Sequence, residues 1–336
     1  MRIQIVTPAP RASSRGNNIT AENWGCILKR LGHSVIISTN GLLDPSPTDC
    51  LVALHARKSG TAINHFRTTF PRTPIIVCLT GTDVHGDLQR QSFSQTDDVE
   101  SNYRIATRSL EVADRIIVLE PRCIQRLAHR FQSKCATIIQ SALPHVVTKH
   151  SAWSHQPADQ ITLSVIGHMR PVKDPFRAAM ASRQLPKNSK IKIVQVGEAL
   201  TSDSKDFANA EMQTNPRYEW RGSVSNQSAK DLLCQSHATI VSSHYEGGCN
   251  VISDAVVNSI PILASRMDAS FGLLGEDYAG LFDIASTDQL LKLMIQLEAS
   301  SDFTKTLLSK LETVRPKFSP QNEFVAWEKM LNHLSG

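Results

Sequence analysis

The chain has 336 residues, of which 41% are hydrophobic and 20% charged, and its formal net charge is +5. This length allows two ordinary domains with separate cores, and the composition excludes an intrinsically disordered chain. No stretch approaches the roughly 20 consecutive apolar residues of a membrane span, so no membrane association is expected. The first residues, MRIQIVTPAP, are predicted to form a strand rather than a signal peptide.

The charge is distributed unevenly along the chain. Residues 1–150 carry 18 basic and 11 acidic side chains (net +7), whereas residues 151–336 carry 18 and 20 (net −2). This asymmetry predicts that the first half attracts an anionic ligand, with a solvated basic surface as the alternative. Nucleic acid is not expected, because aromatic residues make up only 6% of the chain and do not alternate with basic runs. The seven scattered cysteines form no C-x-x-C pair, which favours a reduced, cytoplasmic protein.

Short β-rich runs alternate with amphipathic segments along the whole chain. In the first half, strands are predicted at 3–7, 34–39, 50–54, 75–79, 115–119 and 136–139; in the second half, at 161–166, 191–196, 238–242 and 260–264. A helical pattern between the first two strands is closed by Gly32, a typical residue after a helix end. The alternation predicts an α/β protein with two doubly wound, parallel-sheet domains.

The predicted boundaries place a first domain at 1–145, a linker at 146–160, a second domain at 161–315 and a terminal helix at 316–336. That helix begins with Ser-Pro and is predicted to pack back on the first domain. Ligands of parallel sheets bind beyond the carboxyl ends of the strands. If the two domains face each other across a cleft, the loops after the strands form the site.

The loop after the first strand, PAPRASSRGNNIT, lacks the glycine pattern of a dinucleotide-binding loop. It offers Arg11, Arg15, Gly16, Asn17 and Asn18 just before a helix, and such a loop can close over an anion. An ordinary polar loop is the alternative. Because H-E-x-x-H and D-x-D are also absent from the chain, no metal and no cofactor are expected.

Polar side chains follow two further strands of the first half. His55 and Arg57 come after the third strand, and Thr82, Asp83 and His85 come after the fourth. Their position predicts a substrate-binding role. A purely structural role remains the alternative for each histidine.

The first strand of the second half is followed by GHMRPVKDPF. Gly167 permits a tight turn, and the cations Arg170 and Lys173 lie three residues apart. Two cations on one turn suit a diphosphate, because they neutralise both the bound form and the leaving group. Asp174 and Pro175 are predicted to be the N-cap and first residue of the next helix.

The stretch HYEGGCNVISDAVVN places two acids eight positions apart, Glu246 and Asp254. Between them a helix is predicted to begin, and its backbone N–H groups would face an anion. These amides belong to Gly247, Gly248, Cys249 and Asn250. Anion-binding amides flanked by two hydroxyl-binding acids predict a nucleotide-sugar site.

The E-x7-D spacing, together with the upstream G-x-x-R-x-x-K, resembles the donor site of retaining GT-B glycosyltransferases, which have E-x7-E. The resemblance implies a GT-B architecture of two Rossmann-like domains facing across a cleft. It also implies that Glu246 binds hydroxyls of the donor sugar and that Asp254, one methylene shorter than glutamate, binds ribose. The N-G-V-D that usually follows the first domain is replaced by QSALPH.

A more specific resemblance is to the selenosugar synthases of selenoneine biosynthesis. It is carried by TPAP, LHAR, LTGTD, GHMRPVKDP, EGGCNVISDA and LLGEDYAGLF, which span residues 7–282. It implies transfer of a hexose from UDP-GlcNAc or UDP-glucose to selenophosphate, with formation of a C–Se bond. It further implies metal independence and a product passed to a downstream selenoneine-forming enzyme.

On this interpretation Arg170, Lys173 and Glu246 carry catalysis. The acceptor side is predicted to consist of Arg15, Gly16, Asn17, Asn18, His55, Arg57, Thr82 and Asp83. Three alternatives share part of this pattern: a glycosyltransferase with a hydroxyl or thiol acceptor, which would need Asp83 or His85 as a base; a non-catalytic nucleotide-sugar-binding protein; and a UDP-sugar epimerase.

Overall fold

The structure, a computed structural model, describes residues 1–10, 16–91, 98–147 and 159–334. The chain divides into two compact units. The first comprises Met1–Ser141, Glu246–Gly248 and Ser319–Gly336, and the second comprises Ala142–Tyr245 and Cys249–Phe318. Over the described ranges, no helix is long and apolar enough to cross a membrane.

Strands and helices alternate in both units. The strands are β1 (Arg2–Val6), β2 (Ser34–Ser38), β3 (Cys50–Leu54), β4 (Ile75–Leu79), β5 (Arg115–Val118), β6 (Cys135–Thr137), β7 (Ile161–Ile166), β8 (Ile191–Val196), β9 (Tyr218–Trp220), β10 (Ala238–Val241), β11 (Ile262–Ser265) and β12 (Leu281–Phe282). The helices are α1 (Gly16–Arg30), α2 (Gly60–Thr69), α3 (Thr82–His85), α4 (Val99–Val112), α5 (His129–Gln132), α6 (Arg177–Ser182), α7 (Ser202–Thr214), α8 (Asn226–Gln235), α9 (Asn250–Val257), α10 (Asp268–Leu274), α11 (Thr287–Ala299), α12 (Ser301–Val314) and α13 (Pro320–Asn332).

The first unit is built on a six-stranded parallel sheet with the order β2-β1-β3-β4-β5-β6. Strands β3 and β4 are buried along their whole length, because helices cover both faces of a doubly wound sheet. One face packs against α2 and α4 through residues such as Phe66 and Leu110. The other packs against α1 and α13 through residues such as Trp24 and Trp327.

Helix α13 belongs to the first unit, although it follows the whole second unit in the chain. Its Trp327 ring packs edge-on against Trp24 of α1, with ring centroids 4.8 Å apart. The buried Glu323 accepts hydrogen bonds from Trp24 Nε1 (2.8 Å) and from Ser141 N (2.9 Å). As the sequence predicts, Ser319 caps the helix by accepting from Asn322 N, and Pro320 is its first residue.

The end of α1 confirms the predicted role of Gly32. That glycine has φ of +86°, a conformation that L side chains adopt at a cost. The Gly32 amide donates to Lys29 O, and the His33 amide reaches back to Leu28 O at 3.1 Å. These bonds satisfy carbonyls that the helix end leaves open.

The second unit is built on another six-stranded parallel sheet, in the order β12-β11-β10-β7-β8-β9. Two of its strands, β9 and β12, are absent from the sequence-based prediction. Both are edge strands, of three and two residues. The central strands β7 and β8 pair in register over six residues, from Ile161 opposite Ile191 to Ile166 opposite Val196.

The prediction for Asp174 and Pro175 is wrong. Asp174 follows a 3₁₀ turn at Pro171–Lys173 and adopts a left-handed conformation with φ of +43°. Helix α6 begins only at Arg177. The Asp174 carboxylate instead accepts from Arg177 Nε at 2.7 Å. It therefore fixes the side chain of the first helical residue rather than the backbone amides of the first turn.

Candidate active site

In the second unit, the loop after β7 carries the two predicted diphosphate-binding cations. Gly167 has φ of +150°, and a Cβ on the neighbouring Gly197 would come within 2.0 Å of Gly167 O. The chain therefore turns sharply directly after the strand, as predicted. Arg170 precedes the 3₁₀ turn, and Lys173 ends it and donates its amide to Arg170 O at 2.8 Å. Both side chains are half-buried, so they can contact a ligand.

This loop is hydrogen-bonded to the loop after the neighbouring strand β10. Ser242 Oγ donates to Lys173 O (3.0 Å) and to Asp174 O (2.9 Å), and the His244 amide donates to Val172 O (2.8 Å). Strands β7 and β10 are adjacent in the sheet. The turn that carries Arg170 and Lys173 is therefore held beside the residues that precede the E-x7-D segment, within one unit.

Helix α9 begins directly after this second loop. Cys249 is its N-cap residue and makes no side-chain capping bond. The backbone N–H groups of the first turn, beginning at Asn250, have no partner within the helix and favour an anion. Cys249 is buried, which favours packing rather than chemistry for its thiol.

Asp254 lies in the second turn of α9 and pairs with a lysine that no sequence motif indicates. Lys230 Nζ, from α8, lies 3.0 Å from Asp254 Oδ1. Burial raises the pKa of Asp254, while Lys230 and His145 act in the opposite direction. His145 Nε2 in turn lies 2.7 Å from Asp231 Oδ1, next to Lys230 in the sequence.

Glu246, Gly247 and Gly248 group with the first unit, where the two glycines approach backbone closely. A Cβ on Gly247 would lie 2.4 Å from Thr80 C and 2.5 Å from Gly81 N. A Cβ on Gly248 would lie 2.7 Å from Leu119 Cβ. The Gly-Gly pair is thus required by this close approach, in addition to its predicted role of presenting amides to phosphate.

The half-buried Glu246 is fixed through its backbone. His85 Nε2 lies 3.1 Å from the Glu246 carbonyl oxygen and donates to it. His85 is itself buried and also contacts Cys123 Sγ at 3.8 Å. This geometry indicates that His85 positions Glu246. Because His85 is buried, it is poorly placed to act as a general base.

Asp83 organises the loop between β4 and α3. It is fully buried, and its Oδ1 accepts from the amides of Thr80, Gly81 and Val84 at 2.9–3.0 Å. Its Oδ2 accepts from the Ala56 amide at 2.9 Å. The sequence predicts that Asp83 binds the acceptor. Its carboxylate is instead enclosed by four N–H groups, so it positions both loops.

His55 sets the orientation of the Thr82 hydroxyl. The Lys58 amide donates to His55 Nδ1 (3.3 Å), so Nε2 carries the proton and donates to Thr82 Oγ1 (2.8 Å). Burial lowers the pKa of His55 to about 4, which keeps the ring neutral. Thr82 is half-buried and keeps its own hydroxyl hydrogen for donation. His55 thus acts through Thr82, in a strained backbone conformation with φ of +73°.

The remaining predicted acceptor residues lie in two places. Arg57 is held by Asp87, whose Oδ2 accepts from Arg57 Nε at 2.9 Å. Gly16, Asn17 and Asn18 form the first turn of α1, where Asn18 Nδ2 donates to Glu22 Oε1. Arg15, like Arg11, lies outside the described residues.

No cluster of three or more histidine, cysteine, aspartate or glutamate side chains able to hold a metal ion occurs among residues 1–10, 16–91, 98–147 and 159–334.

Comparison with known proteins gives a family for part of this arrangement. Residues 148–308 match the family described as Glycosyl transferases group 1. That segment contains the Arg170–Lys173 turn and the E-x7-D stretch and makes up slightly less than half of the chain. No curated protein matches the sequence significantly.

Solved structures share the fold over almost the whole chain. Sucrose-phosphate synthase from Thermosynechococcus elongatus superposes with a TM-score of 0.82 at 16% identity, covering 99% of this chain and 98% of that one. Anabaena Alr3699/HepE, in complex with UDP and glucose, gives 0.75 at 14% identity, covering 99% and 100%. Staphylococcus aureus TarM, in complex with fondaparinux, alpha-GlcNAc-glycerol and UDP, gives 0.66 at 14% identity, covering 84% and 55%. The fold is GT-B.

Two charged residues of this GT-B protein, Lys230 and Asp87, contact predicted site residues although no sequence motif indicates them. Lys230 reaches Asp254 because α8 packs against α9, although 24 positions separate the two residues. Asp87 reaches Arg57 because α3 folds back after β4. Each is an ordinary charged helix or turn residue in the sequence. Only the tertiary arrangement distinguishes them from solvated surface charges.

Proposed function

We propose that the protein is a metal-independent glycosyltransferase that moves GlcNAc or glucose from a UDP-sugar to selenophosphate. The observation that carries the proposal is the hydrogen-bonded pair of loops in the second unit. They hold the Arg170–Lys173 turn beside the start of α9, which leads to Asp254. A diphosphate needs this combination of cations and amides.

In the proposed mechanism, Arg170 and Lys173 bind the diphosphate and stabilise the charge that develops on departing UDP. The amides of Gly247, Gly248, Cys249 and Asn250 are assigned to the phosphates, and Gly167 allows the turn that carries the two cations. Glu246 accepts hydrogen bonds from hexose hydroxyls, and Asp254 accepts them from ribose.

The reaction breaks the bond between the anomeric carbon and the phosphate oxygen and forms a bond from that carbon to selenium. UDP leaves with the bonding electrons. Selenium in selenophosphate is already nucleophilic near neutral pH, so no strong general base is needed. Asp83, which accepts from four backbone amides, and His55, whose two ring nitrogens are both hydrogen-bonded, agree with that requirement, because neither is available as a base.

The proposed acceptor side favours an anion. Arg57 supplies a guanidinium, and Thr82 supplies a hydroxyl whose hydrogen His55 leaves available. The first turn of α1, with Gly16, Asn17 and Asn18, supplies further amides, and Arg15 is proposed to add a second cation. His55 and Asp83 position these groups. The net charge of +7 over residues 1–150 favours the approach of a small dianion.

The test measures UDP release from UDP-GlcNAc and UDP-glucose, with and without selenophosphate, in the presence of EDTA. Release that depends on selenophosphate, with a selenium-bearing sugar detected by mass spectrometry, is the expected result. UDP-sugar binding without release would indicate a sensor. Release with only hydroxyl or thiol acceptors would indicate an ordinary glycosyltransferase, and a changed sugar without any acceptor would indicate an epimerase.

A further inference from the structure

Lys230 is a charged residue that the mechanism above does not use, yet it contacts a residue that the mechanism needs. Its Nζ lies 3.0 Å from Asp254 Oδ1, and the side chains are 28% and 16% exposed. At that depth the pair is shielded from solvent more than a surface ion pair, while a ligand can still reach it.

We propose that Lys230 is a positioning residue of the donor site, which holds the short Asp254 carboxylate in place and with it recognises the ribose hydroxyls of a uridine diphosphate sugar. The inference rests on the proposed function, because it requires Asp254 to face the ribose.

The chemistry of the pair suits a vicinal diol. A carboxylate accepts hydrogen bonds from hydroxyl groups, and an ammonium group has three N–H donors for hydroxyl oxygens. Lys230 directs one N–H group at Asp254 Oδ1. Its other two N–H groups would then donate to the oxygens of the ribose hydroxyls, and Asp254 Oδ2 would accept from the hydrogens of those hydroxyls. Aspartate is one methylene shorter than glutamate, so its carboxylate gains from a fixed partner.

Titratable and charged groups lie on the elements packed against α9, and of these Lys230 and His145 act on Asp254. Helix α8 contributes Lys230, Asp231 and Cys234, and the segment before β7 contributes His145. The end of α12 contributes Glu312, which pairs with Arg315, and Arg315 in turn contacts Ser259 just after α9. Strand β10, also packed against α9, carries no titratable side chain.

Loss of Lys230 would remove the main group that lowers the pKa of Asp254 and so opposes the effect of burial. Burial raises the pKa of Asp254, and Lys230 is the largest of the groups that lower it. Without Lys230, Asp254 becomes protonated at a higher pH than in the wild-type protein. Because ribose hydroxyls need the ionised carboxylate as acceptor, nucleotide affinity should then weaken at a higher pH as well.

The experiment compares Lys230→Met and Lys230→Arg by calorimetric titration with UDP and with 2′-deoxy-UDP between pH 5.5 and 8.5. Lys310→Met is the matched control, because Lys310 Nζ lies 2.8 Å from Asp277 Oδ1 and its side chain is also 28% exposed. Asp277 has no part in the proposed site.

We expect Lys230→Met to weaken UDP binding by about tenfold, a typical effect of losing one charged hydrogen-bond partner. Its discrimination against 2′-deoxy-UDP should fall, and its UDP affinity should decline from a higher pH than in wild type. Lys230→Arg, which keeps the charge, should retain most of the discrimination, and Lys310→Met should match wild type. The ratio of the two affinities does not depend on the folded fraction of a variant.

The inference is overturned if wild type binds UDP and Lys230→Met binds it equally well with the same pH profile. It is also overturned if that variant loses affinity for both nucleotides equally, or if Lys230→Arg behaves like the methionine variant. If wild-type protein fails to bind UDP at all, the proposed function falls together with this inference. The two failures are therefore distinguishable.

Discussion

Asp87 is the residue through which pH should control the acceptor side of the first unit. Its Oδ2 accepts from Arg57 Nε at 2.9 Å. Burial raises the pKa of Asp87 to about 6, with the Arg57 hydrogen bond acting in the opposite direction. Asp87 is therefore ionised at pH 7.5 and loses its charge as pH falls through the range just below neutrality. Arg57 then loses its charged partner.

We predict that Asp87→Asn raises the KM for selenophosphate at pH 7.5, because a neutral amide orients Arg57 less firmly. Since the acceptor anion also titrates, the informative quantity is the ratio of the variant KM to the wild-type KM at each pH. That ratio should approach one below about pH 6, where wild-type Asp87 is protonated. A ratio that stays constant from pH 5 to 8 would contradict the role given to Asp87.

Melting temperatures provide a separate check that Asp87→Asn folds. Because burial raises the pKa of Asp87 in the folded state, its proton stabilises the fold, and that stabilisation is lost as pH rises through about 6. The melting temperature of Asp87→Asn relative to wild type should therefore increase with pH.

Glu246 gives a prediction for the donor sugar. Glu246→Gln keeps the size of the side chain and removes the negative charge, so it should lower kcat roughly 100-fold, as expected for loss of a charged transition-state contact. UDP without a sugar should bind with unchanged affinity, because Glu246 is assigned to the hexose. Steady-state kinetics and UDP titration measure the two quantities. Normal turnover by this variant would remove Glu246 from the mechanism.

In the first unit, the loop after β4 and the segment that carries Glu246 lie in close backbone contact. Gly81 has φ of +124°, and a Cβ there would lie 2.7 Å from Gly247 N. The Thr80–Val84 segment cannot move aside easily, because Asp83 Oδ1 accepts from three of its amides. Two glycines and one buried carboxylate thus determine where Glu246 lies.

We predict that Gly247→Ala displaces this loop, because the new Cβ would collide with backbone atoms of Thr80 and Gly81 at 2.4–2.5 Å. A displacement of about 1 Å in a catalytic loop can cost 100-fold in rate. Gly25→Ala in α1 is the matched control, since its Cβ would meet only the flexible end of the Ile37 side chain, at 3.0 Å. Wild-type turnover of Gly247→Ala would show that the loop tolerates displacement.

Most strands were predictable from sequence, and the two edge strands of the second sheet were not. Strands β3, β4, β7 and β8 begin and end at the predicted residues. Strands β3 and β4 are continuous apolar runs, because helices cover both faces of a parallel sheet, and β7 and β8 consist mostly of β-branched residues. The edge strands β9 and β12 are too short to show a pattern.

The same contrast holds for the candidate site. Loops that follow strands were recognisable by position, since parallel strands end at one edge of the sheet. The residues that pair with those loops were not recognisable from the sequence. Nothing local links Lys230 to Asp254 or Asp87 to Arg57, because each pair is created by packing between elements. The N-cap prediction for Asp174 failed because Asp174 is itself left-handed and follows a 3₁₀ turn, so helix α6 begins only at Arg177.

At the scale of the whole molecule, the first unit is discontinuous in sequence. Its core includes Trp327 of α13, which is fully buried against Trp24. The Glu323 carboxylate joins the same helix to Ser141, the last residue of the unit's first segment. The stability of the first unit therefore depends on residues that follow the second unit.

We predict that Trp327→Ala destabilises the first unit by about 3–5 kcal/mol, the usual cost of deleting a buried tryptophan side chain. Val325→Ala on the same helix is the control, because Val325 is 46% exposed, and it should change the free energy by about 0.5 kcal/mol or less. Hydrogen exchange of peptides from β1–β6 measures the effect, with peptides from β7–β12 as internal reference. Equal protection of the first sheet in both variants would contradict the assigned role.

The return of α13 also bears on how the protein is made. A ribosome that has added Phe318 has already produced all six strands of the first sheet and every residue of the second unit, but not the helix that covers Trp24. The unit synthesised first is therefore the one that can mature last, in contrast to the usual N-terminal-first order of domain folding. Interrupted translation would leave Trp24 and part of an apolar sheet face uncovered, and chaperones and proteases would bind such chains before any donor or acceptor was bound.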